Sequence, residues 1–100
     1  MDLYVKQVAG GQPIRLTFDG AGNTDPDFSP DGSMLVFRSA KNGGAIYEIP
    51  AFGGQARLLA RGGFDPKYSP DGREVVYWVG ASNVAQTVPG NGSIWIVPRT

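Results

Sequence analysis

Three oxygen-bearing side chains in the spacing Asn23-x-Asp25-x-Asp27 would suit a calcium ion, because a calcium loop presents ligands at alternate positions. The glycine that lets such a loop turn and the distant glutamate that closes it are both missing, so no metal is expected there. Ser39 and Lys41 are close enough in sequence to suggest a Ser-Lys nucleophile, but a hairpin supplies neither an oxyanion donor nor a group to orient the base. Asp31 and Asp71 each stand in the string Ser-Pro-Asp-Gly, where an aspartate bonds its own backbone and holds a turn, and that duty accounts for both. The 100 residues contain no His and no Cys, which removes imidazole and thiolate ligands, disulfides and every His-dependent triad. No catalytic residue, metal or cofactor is expected, and the chain reads as a non-enzyme.

Charge names no partner. Nine Lys plus Arg balance nine Asp plus Glu, so no net field draws the chain to nucleic acid or to an anionic membrane. The opening Met1-Asp2-Leu3-Tyr4-Val5-Lys6 has no basic region followed by an apolar run of signal length, and nothing elsewhere approaches a membrane span. As written, the sequence reads as soluble, without membrane insertion and without nucleic-acid binding.

The elements that must position these residues come from internal repetition. Asp25-Pro26 and Phe28-Ser29-Pro30-Asp31-Gly32 return as Asp65-Pro66 and Tyr68-Ser69-Pro70-Asp71-Gly72. Leu3-Tyr4-Val5 returns as Ile46-Tyr47-Glu48 and as Ile94-Trp95-Ile96, and Gly10-Gly11-Gln12 returns as Gly53-Gly54-Gln55. Length changes fall in links, between Asp19 and Thr24 and between Ala81 and Gly92. No stretch carries a helical period, and each repeat reads as four short strands, a to d. Strand a is Asp27 to Ser29 and its copy Lys67 to Ser69; strand b is Met34 to Arg38 and Glu74 to Val79. Strand c is Leu3 to Val8, Ile46 to Ile49 and Ile94 to Val97; strand d is Pro13 to Thr17 and Gln55 to Leu59. Between a and b, Pro30 and Pro70 preset the corner, Asp31 and Asp71 bond backbone, and Gly32 and Gly72 take positive φ.

The order Asp-Pro-x-Phe/Tyr-Ser-Pro-Asp-Gly, an apolar strand, a Gly-rich turn, Ile-Tyr and Gly-Gly-Gln resembles the WD-repeat-like Pro-Asp blades of TolB-like β-propellers. The resemblance covers nearly the whole chain. It implies an all-β fold of four-stranded antiparallel blades, with about two blades per chain: residues 1–24 give strands c and d of one blade, 25–62 a complete blade, and 63–100 strands a to c of another. It implies a non-catalytic module for protein–protein interaction or scaffolding, in a periplasmic or other extracytoplasmic setting. Similar blades serve as accessory propellers of prolyl-oligopeptidase-type peptidases and as ligand-sensing propellers fused to bacterial Ser/Thr kinases, and those readings stay open here.

In such a fold Asp25 and Asp65 precede the innermost strands and would stand with Asp27 at the channel mouth, where repeated carboxylates meet a ligand or a basic partner; the competing role is capping of nearby backbone. Trp78 replaces the Arg38 of the earlier copy and is expected on a more exposed face, open to contact. Tyr4, Tyr47 and Trp95 recur at one position of strand c and read as blade packing, and the sequon Asn91-Gly92-Ser93 reads as a Gly-rich turn. An incomplete ring leaves blade faces to be covered by the rest of a longer protein or by other copies. A ring of three copies or a swapped dimer is expected, with Tyr68, Val75, Tyr77 and Trp95 of one chain meeting Leu3, Tyr4, Ile14 and Leu16 of the next.

Overall fold

The computed structural model describes residues 3–5, 14–16, 22–79 and 93–99. The Gly-rich links at 10–12 and 81–92, and the sequon at Asn91, lie outside the described residues. Among those described, antiparallel strands form three sheets. The first pairs β1 (Tyr4–Val5) with β2 (Ile14–Arg15). The second runs in order β3 (Asn23–Phe28), β4 (Met34–Ser39), β5 (Ala45–Pro50) and β6 (Arg57–Arg61). The third joins β7 (Phe64–Tyr68), β8 (Glu74–Val79) and β9 (Ser93–Pro98). Among the described residues the fold is all-β apart from a single 3₁₀ turn at Lys41–Gly43, and no helix among them is long and apolar enough to cross a membrane.

The second and third sheets share one register. Phe28↔Leu35 and Phe37↔Tyr47 in one become Tyr68↔Val75 and Tyr77↔Trp95 in the other. Each Ser-Pro-Asp-Gly turn closes in the same way, with the Gly32 and Gly72 N–H groups donating to the carbonyls of Ser29 and Ser69 at 2.9 Å, at φ 77° and 74°.

Strand β4 is apolar on both faces because a sheet packs on each. Leu35 and Phe37 join Leu16 and Ile49 on the N-terminal side, with Leu3 and Tyr47 against them. Val36 joins Ile46, Val75 and Tyr77 on the other side, with Leu59, Tyr68 and Val97 against them. Each buried aliphatic or aromatic side chain contributes about 1.5–3 kcal/mol of transfer free energy.

The expected start of the innermost strand and part of the expected intermolecular contact change. The innermost strand begins at Asn23, ahead of Pro26, since the proline sits in a β-bulge between Thr24 and Asp27 and does not start the strand. Val75 and Tyr77 do not wait for another chain: they pack on Val36 and Ile46 of their own, so the expected intermolecular contact through them is corrected. The opposite face of the third sheet stays open.

Candidate functional site

Asp25 and Asp65 are the two non-glycine residues among those described that have positive φ, at 57° and 52°. Both stand in the bulge of an innermost strand, directly before a proline. A residue before proline is pushed towards extended backbone, so a left-handed aspartate at this position is doubly constrained. Both residues are exposed. Among the described residues nothing hydrogen-bonds the Asp25 carboxylate, and Asp65 has Lys67 Nζ at 3.8 Å in a solvent-exposed pair. The competing cap role is therefore taken elsewhere: it is Asp27 that bonds backbone, its Oδ2 accepting from the Tyr68 N–H at 2.9 Å across to the next sheet.

Trp78 lies beside this end of the sheets. It is half-buried and stacks on Phe64 with ring centroids 4.9 Å apart, while the Arg38 guanidinium lies 4.4 Å from the Phe64 ring centre. Arg38 Nε also donates to the Gly63 carbonyl at 3.1 Å. Such a stack fixes a flat apolar surface next to the carboxylates.

At the other end, Asp31 Oδ1 accepts from the Ser33 N–H at 3.0 Å and from the Ser29 and Ser33 hydroxyls at 2.7 Å each. These bonds favour the ionised form and pull its carboxyl down to about 2. Asp71 is lowered likewise, by the Ser69 hydroxyl and then the Arg73 N–H. A hollow of about 640 Å³ lined by Asp71, Arg73, Glu74 and Arg99 opens beside these turns. Both aspartates are committed to turn geometry.

Between the second and third sheets lies a charged latch. Glu48 is buried and accepts from Arg57 Nη2 at 2.8 Å, the Tyr68 hydroxyl at 2.7 Å and Arg99 Nε at 2.6 Å. Arg57 also donates to the Arg99 carbonyl, and Arg99 Nη1 to the Gly72 carbonyl at 3.3 Å. Burial pushes the Glu48 carboxyl up, and its three donors more than reverse this, leaving it lowered. Burial and then the Glu48 carboxylate push the Tyr68 hydroxyl up. Nothing here pairs a nucleophile with a base.

Residues 1–92 match the TolB beta propeller domain. The chain belongs to this family. Its TolB relatives include the Tol-Pal system protein TolB of Bordetella pertussis and that of Bordetella parapertussis, each 36% identical over 56 residues, covering 54% of this chain and 13% of the relative. The matched segment thus spans about an eighth of the length of these TolB proteins. A TolB structure from Agrobacterium tumefaciens superposes on 95% of the chain and 33% of its own, with TM-score 0.73 and 26% identity. TolB from Acinetobacter baumannii, at 24% identity and TM-score 0.67 over 93% of this chain and 23% of its own, shares the fold. The propeller expected from the Pro-Asp repeats is therefore the fold of this TolB-family chain.

Sequence reasoning missed the latch. A signal for it exists within the repeats of the TolB-like blades: Glu48 stands where the other copies of its strand have Val5 and Ile96. Its donors are substitutions of the same kind, since Arg57 stands for Ile14, Tyr68 for Phe28 and Arg99 for Ala51. The last equivalence is seen in the backbone, where the Ala51 and Arg99 N–H groups donate to the carbonyls of Ser33 and Arg73.

Proposed function

We propose that the chain is a non-catalytic β-propeller module that binds a protein partner at the edge marked by Asp25 and Asp65, working as part of a longer protein or assembled from copies. The carrying observation is the repeated left-handed aspartate at a bulge before proline, exposed in both blades. Backbone strain of this kind costs on the order of 1–3 kcal/mol and tends to sit where it aims a side chain. The two carboxylates, with Asp27 behind them and the Phe64–Trp78 surface alongside, suit a basic segment that also carries an apolar or aromatic side chain. The named relatives support a protein partner, being described as members of a Tol-Pal system; the same likeness supports a periplasmic setting. None of the relatives described above is a peptidase or a kinase, and nothing in the geometry favours those readings.

The test is a titration with a fluorescent Lys/Arg-rich peptide containing one aromatic residue, followed by anisotropy. Asp25→Asn with Asp65→Asn removes the charge while keeping a residue that tolerates the left-handed region. The double variant is expected to bind several-fold more weakly, with a shallower salt dependence and an unchanged melting temperature. Binding equal to that of the unaltered chain would remove the carboxylates from the proposal.

A further inference from the structure

The outward face of the third sheet is apolar and open. By register Val76, Trp78, Ile94 and Ile96 share it, and Ile94 and Ile96 are 71% and 57% exposed. The second sheet has the same face, formed by Val36, Arg38, Ile46 and Glu48, and there the third sheet covers it: Val36 and Ile46 are 0% exposed and Glu48 2%. One chain shows the same surface both covered and uncovered.

The repeats also show what fits. Val5↔Ile14 has the register of Glu48↔Arg57, so β1, β5 and β9 are equivalent strands, with Leu3, Ile46 and Ile94 in one position and Val5, Glu48 and Ile96 in another. At the junction of the second and third sheets the latch positions are polar: Glu48, Arg57, Tyr68 and Arg99. At the junction of the first and second sheets the same positions are Val5, Ile14, Phe28 and Ala51, all apolar. Ile96 belongs to the apolar set. A face bearing Ile96 is matched by neighbours bearing Phe28 and Ala51, and it would leave a Tyr68-type hydroxyl or an Arg99-type guanidinium without an acceptor. This chain carries the matching set on the N-terminal side of its second sheet.

We propose that β9 of one copy replaces β1 in a second copy, pairing with that copy's β2 and seating Ile94 and Ile96 over its Leu16, Leu35 and Phe37, where Leu3 now packs. Strand β9 has six residues already aligned by β8, and among the described residues β1 pairs with β2 through Tyr4 and Val5. The resident strand has the advantage of high effective concentration and the incoming one that of covering Ile94 and Ile96, so exchange is set by protein concentration. The contact is head-to-tail and propagates until it closes into a ring. The proposal rests on the propeller reading and is independent of the carboxylate site.

Light scattering on the full chain across the micromolar to millimolar range tests it, with circular dichroism confirming that each variant is folded. The mass is expected to rise above the 10.6 kDa of one chain as concentration increases. Ile96→Glu, on an exposed edge strand, is expected to weaken association about tenfold or more, the loss of one buried aliphatic side chain. Adding Ile14→Arg and Phe28→Tyr to Ile96→Glu is expected to restore it by carrying the polar set into the new junction. Leu3→Glu loosens the resident strand and is expected to strengthen association, the reverse of Ile94→Glu; a merely adhesive patch gives no such reversal. Asp25→Asn with Asp65→Asn is expected to leave the mass unchanged, which separates this result from that of the binding site. A monomer at every concentration, an Ile96→Glu chain that associates like the parent, or a Leu3→Glu chain that associates no more strongly each overturns the exchange.

Discussion

At Gly63 an added methyl group would stand 2.5 Å from the Tyr77 ring, on a backbone with φ at 88°. Tyr77 is locked in the cluster between two sheets and has no room to yield. Gly63→Ala therefore combines left-handed strain of about 1–2 kcal/mol with overpacking of about 1–3 kcal/mol. Gly32→Ala has the strain alone, because nothing lies within 4 Å of its missing Cβ. Melting temperatures are expected to fall for both and clearly further for Gly63→Ala; equal losses would remove the Tyr77 contact from the account. Acidity acts at the same scale. The carboxyls of Asp31, Asp71 and Glu48 are all held lower in the folded chain than their ordinary values, Asp31 at about 2. A group with a depressed folded pKa lends stability above its unfolded value near 4 and withdraws it as pH falls through the folded value. The melting temperature is expected to be nearly level from pH 7 to about 4 and to drop between about 4 and 2. Asp31→Asn should be less stable at neutral pH and show a smaller acid drop, and identical pH profiles would count against the turn bonds.

Among elements, the junction of β5 with β7 depends on one buried carboxylate. Removing it by Glu48→Leu strands the Tyr68 hydroxyl and Arg99, at a cost of about 1–3 kcal/mol, limited because the half-exposed Arg57 regains water. Tyr68→Phe in the same chain is expected to recover part of that loss, with a coupling of about 1 kcal/mol in urea unfolding. Strictly additive losses would argue that the hydroxyl and the carboxylate act separately. The strands on either side were largely legible in sequence: β4 and β8 lie within a residue of where the apolar runs place them, since Ser-Pro-Asp-Gly fixes one end of each. Strand β3 was shortened in sequence because Pro26 reads as a boundary, while the bulge carries the ladder past it to Asn23. Strand β6 starts two residues late because Gln55 and Ala56 stay outside the ladder. The aspartates at the bulges were recognisable as a repeated pair, but their left-handed backbone was not, since a residue before proline is normally extended. Glu48 stands out in the repeats as a charge among apolar counterparts, but its partners do not: Arg57 is its neighbour in the β5–β6 ladder, while Tyr68 and Arg99, 20 and 51 residues away, reach it across stacked sheets.

Across the whole molecule, protection is expected to peak in the middle. Strands β4 and β5 are paired on both edges and covered on both faces, so their amides should exchange most slowly, while those of β9, an edge strand among the described residues, should exchange fast. If copies associate as proposed, the β9 amides become slow at high concentration and β1 amides become fast; a β9 rate indifferent to concentration would contradict the exchange. The latch has a further consequence, for inheritance. Tandem repeats gain and lose units when misaligned genes recombine, and a repeat of 40 residues invites such accidents. Duplicating residues 25–64 in frame would set the Phe28 ring, and not the Tyr68 hydroxyl, over the first Glu48, and Ala51 where Arg99 stands. The carboxylate would be left with Arg57 alone. Glu48 thus works as a checksum on the order of the blades: an insertion that keeps the reading frame and every turn still yields a poorly folding product, and suppressor mutations should gather at codons 28, 48 and 51.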